Sequence, residues 1–148
     1  MSESPHPKID LSDRLSELGR TIGQRESSHR EGLVKARHCV EDLRSRIEKG
    51  LEAFHIAVSN AGAPHLEIAL SPVRTDDKHL RSLEFDLVRG RYKAVVTAKS
   101  RGDVALVGPF RIGKAEGPCL TFPFDATDEI EAALVTFLEQ FLEEAATP

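Results

Sequence analysis

The sequence predicts an α+β fold, in which a long N-terminal helix and an acidic C-terminal helix pack on an antiparallel sheet. Two observations predict it: apolar residues recur every three or four positions through 9–60 and again through 126–146, and they alternate with polar residues through 64–124. The 148 residues are enough for one ordinary domain with its own core. We therefore expect a single domain over 9–148, comprising a helical arm, a sheet and a C-terminal helix, after a flexible tail at 1–8.

The N-terminal helical pattern contains two apolar segments. The first has 4-3-4 spacing, which places its members on one helix face: Leu11, Leu15, Leu18 and Ile22. The second covers 33–58, and the polar segment between them, 23–32, begins and ends with glycine. Each glycine costs about 1 kcal/mol inside a helix, whereas the Gln, Arg and Glu of this segment tolerate one. Two alternatives follow: one continuous or bent helix, or two antiparallel helices joined near 23–32.

The middle of the chain predicts a meander of four or five antiparallel strands. Apolar and polar residues alternate in 65–73, 83–89 and 92–99, and a shorter strand begins at 102. Each strand therefore has one more polar face, as expected of a sheet that is covered on one side. Residues 119–124 predict a further strand, which its proline confines to an edge. The C-terminal helix follows, with carboxylates in its first turn and a wide apolar stripe formed by Ile130, Leu134, Phe137, Leu138, Phe141 and Leu142.

Charge is unevenly distributed along the chain, whose net charge is −4. No Lys or Arg follows residue 114, whereas residues 89–101 contain five basic residues and no acidic one. A basic β-surface of this kind suits an acidic protein or the phosphates of a nucleic acid, or it is simply solvated. The candidate partner-binding residues are Arg89, Arg91, Lys93, Lys99 and Arg101.

The segment VALVGPFRIGKA, residues 104–115, has the glycine and lysine spacing of a phosphate-binding P-loop. Ala115 stands where the Mg²⁺-binding hydroxyl is needed, and the Gly-Pro pair at 117–118 prevents the helix that a P-loop requires. We therefore expect no nucleotide site here.

Other chemistry-bearing residues do not combine into a site. Glu26 and His29 have half of the spacing of a di-metal site in a helical bundle, without a second copy. Cys39 and Cys119 lack metal-site spacing, and Cys39 cannot face its neighbour His38 on a helix. We expect a non-enzymatic protein with no cofactor and no metal.

A continuous N-terminal helix of about 45 residues would be roughly 68 Å long, against roughly 17–20 Å for a strand. Its first apolar segment would then project beyond the sheet, where a second copy of the chain is the simplest partner. The candidate dimerisation residues are Leu11, Leu15, Leu18 and Ile22.

The layout of helix, meander and helix resembles the small acidic dimeric chaperones of bacterial secretion, and this resemblance implies a chaperone-like role. No apolar run approaches the roughly 18 residues of a membrane-spanning helix, and the N-terminus lacks the apolar core of a signal peptide. We therefore expect a cytoplasmic homodimer that binds another protein as an adaptor, assembly factor or chaperone-like module. The alternative is a nucleic-acid-binding protein that uses the basic β-surface at 89–101.

Overall fold

The computed structural model describes residues 10–76, 81–113 and 117–146, which form one long helix, a six-stranded sheet and a second helix. The predicted α+β class is confirmed, whereas the tail predicted at 1–8 lies outside the described residues. The elements, in chain order, are α1 (Leu11–Asn60), β1 (Ala69–Leu70), β2 (Arg74–Thr75), β3 (Ser82–Arg89), β4 (Tyr92–Lys99), β5 (Asp103–Arg111), β6 (Cys119–Pro123) and α2 (Thr127–Ala146).

Helix α1 is continuous, so the alternative with a turn near 23–32 is wrong. Its start is capped by the Asp10 carboxylate, which accepts a hydrogen bond from the backbone amide of Ser12 at 2.9 Å. Inside the polar segment, the side chains of Glu26 and Arg30 form an ion pair at 3.6 Å across one turn, which supports the helical conformation there. At the other end, the amide of Ala63 donates to the carbonyl of Val58, which closes a Schellman motif.

The sheet is antiparallel throughout, in the order β1-β3-β4-β5-β6, with β2 also paired to β3. Of the strand predicted over 65–73, only β1 forms, and a second two-residue strand, β2, follows just beyond that range. Pro72 lies between them and has no backbone N–H to donate, and Ser71 bonds Asp86 through both its amide and its hydroxyl oxygen. Strands β1 and β2 therefore act as one interrupted edge strand against β3.

Both helices cover the same face of the sheet. Helix α1 lies over β3 and β4, and α2 lies over β4 and β5. The core contains the alternate residues of the three central strands, for example Leu83, Phe85 and Val96, beneath the apolar stripes of the helices. From α1 the buried residues are Ala36, Val40, Leu43, Ile47 and Leu51, and from α2 they are Ile130, Leu134, Phe137, Phe141 and Ala145.

The first part of α1 does not take part in this core. Every residue from 11 to 28 is exposed, and the first buried residue of the helix is Ala36. We call residues 11–28 the projecting segment, which is roughly 27 Å long at 1.5 Å per residue. No helix in the described ranges is both long enough and apolar enough to span a membrane.

Candidate functional site

The projecting segment carries an exposed apolar stripe, which we call the apolar seam. Its members are 50–69% exposed, although leucine and isoleucine are among the residues most often buried in proteins. They are the residues that the sequence predicts for dimerisation: Leu11, Leu15, Leu18 and Ile22. The structure thus presents four apolar side chains, each at least half exposed, in a row along the projecting segment.

The apolar seam lies on the face of α1 that packs against the sheet further along. An α-helix repeats its direction after about 18 residues, which are five turns. Leu18 is therefore in line with Ala36, and Ile22 with Val40, both of which have no exposed surface. The sheet ends before it reaches the projecting segment, so the same stripe changes from core to surface.

The five predicted basic residues do not form one surface. Arg89 lies at the end of β3, where its guanidinium donates a hydrogen bond to the carbonyl of Ala145 in the last turn of α2. Its Nε is buried and makes no hydrogen bond to the described part of the chain. A cation at the C-terminal end of a helix interacts favourably with the helix dipole. Arg89 therefore supports the fold and is poorly placed to bind a partner.

Arg91 and Lys93 lie near the same end of the sheet. Arg91 is exposed in the turn between β3 and β4. The Nζ of Lys93 is 3.6 Å from a carboxylate oxygen of Asp86, which also pairs with Arg74 at 2.7 Å on the outer sheet face. The hydrogen bond to Asp86 raises the pKa of Arg74 above its ordinary high value. The charge of Lys93 is thus partly neutralised within the chain.

Lys99 and Arg101 lie at the opposite end of β4, roughly 20 Å from Lys93 at 3.3 Å per residue. They line a groove of about 820 Å³ between the sheet end and α1, together with Arg25 and Arg81. We call it the basic groove. Its other lining residues are Ile22, Glu26, His29, Asp76, Ser82, Thr97 and Ser100.

The basic groove has an excess of positive charge, with four guanidinium or ammonium groups against the two carboxylates of Glu26 and Asp76. Arg101 also pairs with the neighbouring Asp103 at 2.8 Å, and Glu26 pairs with Arg30. An apolar side chain, Ile22, joins the groove to the apolar seam. This combination suits a ligand that carries both negative charge and apolar groups.

Arg25 and Arg81 were not among the residues that the sequence predicted for binding. A signal for Arg25 exists, because it stands three residues after Ile22 and so continues the spacing of the apolar seam. For Arg81 the sequence gives no signal. It reaches the groove only because β3 begins beside the turn that follows β4.

The P-loop-like segment is part of the sheet. Strand β5 runs through Gly108 to Arg111, further than the short strand predicted, and the amide of Gly108 donates to the carbonyl of Pro118 at 2.7 Å. Gly108 has a φ of 110°, and a Cβ there would lie 3.0 Å from the Lys93 carbonyl oxygen, so glycine is needed for close strand packing. The next described element is β6, not a helix, and Lys114 lies outside the described residues.

The remaining titratable residues include candidates for a metal site or for a nucleophile. In 10–76, 81–113 and 117–146, no three His, Cys, Asp or Glu residues are grouped so as to hold a metal ion. Cys119 is exposed and Cys39 is half-buried. Burial raises the pKa of the Cys39 thiol, the Asp42 carboxylate raises it further, and Arg46 opposes both. A raised pKa disfavours the thiolate that a nucleophile requires.

Compared with models of protein families, with curated proteins and with solved structures, the chain has no match.

Proposed function

We propose that the protein is a non-enzymatic, cytoplasmic homodimer that binds another protein, as an adaptor, assembly factor or chaperone-like module. The observation that supports it most is the apolar seam, Leu11, Leu15, Leu18 and Ile22, exposed along the projecting segment. An exposed apolar stripe of this length on a single helix is typical of an interaction surface. A second copy of the chain supplies an identical stripe, which makes a symmetric pair the simplest way to cover it.

The size of the apolar seam bears on the strength of this dimer. Fully burying a Leu or Ile side chain contributes about 1.5–3 kcal/mol, and these four are already about half covered. Eight such side chains in a pair would contribute roughly 6–12 kcal/mol. Association costs about 4–15 kcal/mol, so the seam by itself supports a weak dimer. We expect the mass to depend on protein concentration in the micromolar range.

For the second protein we propose an acidic segment with apolar side chains, bound in the basic groove. Lys99 and Arg101, two of the five predicted partner-binding residues, lie there with Arg25 and Arg81. Opposite charge steers such a segment to the groove, and Ile22 gives its apolar groups a contact. Arg89 and Lys93 are less suited to this role, because Arg89 is bonded to the last turn of α2 and Lys93 lies roughly 20 Å from the groove residue Lys99.

Light scattering tests the dimer. The wild type should approach twice 16.3 kDa as its concentration is raised. The variant Leu15→Gln/Leu18→Gln should remain a monomer with unchanged circular dichroism. Val34→Gln is the matched control, since this side chain is 59% exposed and points away from the seam side of α1, and it should still form the dimer. A wild-type monomer at high micromolar concentration would refute the proposed dimer.

Fluorescence anisotropy tests the groove with a labelled decapeptide of alternating Glu and Leu. Lys99→Gln/Arg101→Gln should weaken binding about tenfold, which is 1.4 kcal/mol, because it removes two of four cations. Arg91→Gln removes an exposed cation at the far end of the sheet and should leave binding unchanged. Equal affinity for a peptide with Gln in place of Glu would count against an acidic partner.

A further inference from the structure

We propose that the projecting segments of two copies pair antiparallel, with Leu11 of one chain against Ile22 of the partner subunit and Leu15 against Leu18 of the partner subunit. This inference rests on the homodimer of the proposed function and specifies its geometry. Two properties of the chain support it: the path of α1 and the spacing of the apolar seam.

The path of α1 excludes a parallel pair in register. The apolar seam faces the side of α1 on which the sheet lies, since Leu18 and Ile22 are in line with the buried Ala36 and Val40. A parallel partner would run along that side for the full length of α1. Its second half would then occupy the space filled by β3 and β4, which pack on the same face of the helix. An antiparallel partner meets only the projecting segment and carries its own sheet in the opposite direction.

The 4-3-4 spacing of the apolar seam is the same in both directions along the helix. A two-fold axis that passes midway between Ser16 and Glu17 therefore places every seam residue opposite a seam residue of the partner subunit. Gly19 lies one turn from both Leu15 and Ile22, beside the seam, and no atom comes within 4 Å of a Cβ built on it. This position leaves room for the backbones of two helices to approach closely.

Disulfide trapping tests the orientation in a background without cysteine, Cys39→Ala/Cys119→Ser. Two variants are made in this background, one with Leu11→Cys and one with Ile22→Cys. One of the two carries a C-terminal tag, so that linked dimers of different composition differ in mass. The chains are mixed under reducing conditions and then oxidised. We expect a disulfide-linked dimer of tagged with untagged chain in the mixture, and no linked dimer from either variant alone. Val34→Cys, on the opposite face, is the control and should not cross-link.

The outcomes separate the orientation from the dimer itself. A linked dimer from Leu11→Cys alone would show parallel pairing and overturn the inference. A sample that scatters light as a dimer but forms no disulfide link in the mixture would also overturn the inference, because another surface would then hold the two copies together. In both cases the proposed homodimer survives. A sample that scatters as a monomer refutes the homodimer as well.

Discussion

A Cβ atom built on Gly32 would lie 2.1 Å from the carbonyl oxygen of Ser100, so α1 touches the turn between β4 and β5 without room for a side chain. This contact marks the place where the helix leaves the sheet. Beyond it, towards the N-terminus, the stripe that packs on the core becomes the exposed apolar seam. The close approach of Gly32 also sets one end of the basic groove, which Ser100 lines.

The first prediction concerns this contact. In an open helical position, Gly→Ala stabilises a protein by about 0.5–1 kcal/mol. Gly32→Ala should do the opposite, lowering the free energy of unfolding by about 1–3 kcal/mol, because the methyl group overlaps the backbone of Ser100. Gly50→Ala is the matched control in the same helix, with no atom within 4 Å, and should raise stability. Urea unfolding measures both. Equal effects would mean that α1 does not approach the turn so closely.

Gly32 also shows what the sequence could not predict. The periods of 3.6 and 2 were sufficient for the α+β class and the two buried helix stripes, whereas they predicted an exposed apolar seam only for a continuous α1. They did not decide between a helix and a turn at 23–32, because helix-favouring side chains and glycines compete there. A glycine that breaks a helix and one that allows a close contact look alike until the distant Ser100 is placed beside it.

The basic residues give a second case. Alternation places Lys93 and Lys99 on the same face of β4, and their register against Val88 and Ser82 of β3 agrees. It could not show that Arg89 meets the end of α2, a contact between residues 56 positions apart. The basic groove likewise combines side chains from separate parts of the chain.

The second prediction follows from the position of Arg89. Arg89→Met keeps the apolar part of the side chain and removes the hydrogen bond to the Ala145 carbonyl together with the cation at the helix end. The free energy of unfolding should fall by roughly 1–3 kcal/mol, the usual range for losing a hydrogen bond to a charged group. Arg91→Met changes an exposed side chain two residues away and should be close to neutral. If thermal unfolding showed the two variants to be equally stable, Arg89 would have no structural role.

The third prediction concerns the two thiols. Cys119 is exposed, whereas Cys39 is half-buried and burial raises its pKa, so a thiol reagent at pH 8 should modify Cys119 first and Cys39 slowly. In urea the two rates should become similar. Mass spectrometry can count the modified thiols over time and so measure both rates. Cys119→Ser is the control, because it leaves only the slow reaction of Cys39. Fast modification of Cys39 in the folded protein would contradict its placement.

The raised pKa of Cys39 also has a consequence for stability. The folded protein retains the thiol proton to a higher pH than the unfolded chain does. Between the two pKa values the unfolded state binds fewer protons, so the free energy of unfolding should fall as the pH rises through that window. The contribution is fully present below the pKa of the unfolded thiol. Cys39→Ala should remove this part of the pH dependence, which urea unfolding at a series of alkaline pH values would show.

The last prediction separates the proposed protein partner from the alternative, a nucleic acid bound by the basic residues of 89–101. Each phosphate contact adds close to one unit to the dependence of log affinity on log salt. Of the five basic residues, Arg89 contacts the carbonyl oxygen of Ala145 and Lys93 contacts Asp86, and Arg91 and Lys93 lie roughly 20 Å from Lys99 and Arg101 along β4. The five residues therefore do not form one continuous surface along which a phosphate backbone can lie. We expect a labelled duplex and a labelled single strand to show no saturable micromolar binding in fluorescence anisotropy at two salt concentrations. Micromolar binding that weakens steeply with salt, is lost in Lys99→Ala/Arg101→Ala and persists in Arg91→Ala would instead establish the basic groove as a nucleic-acid site.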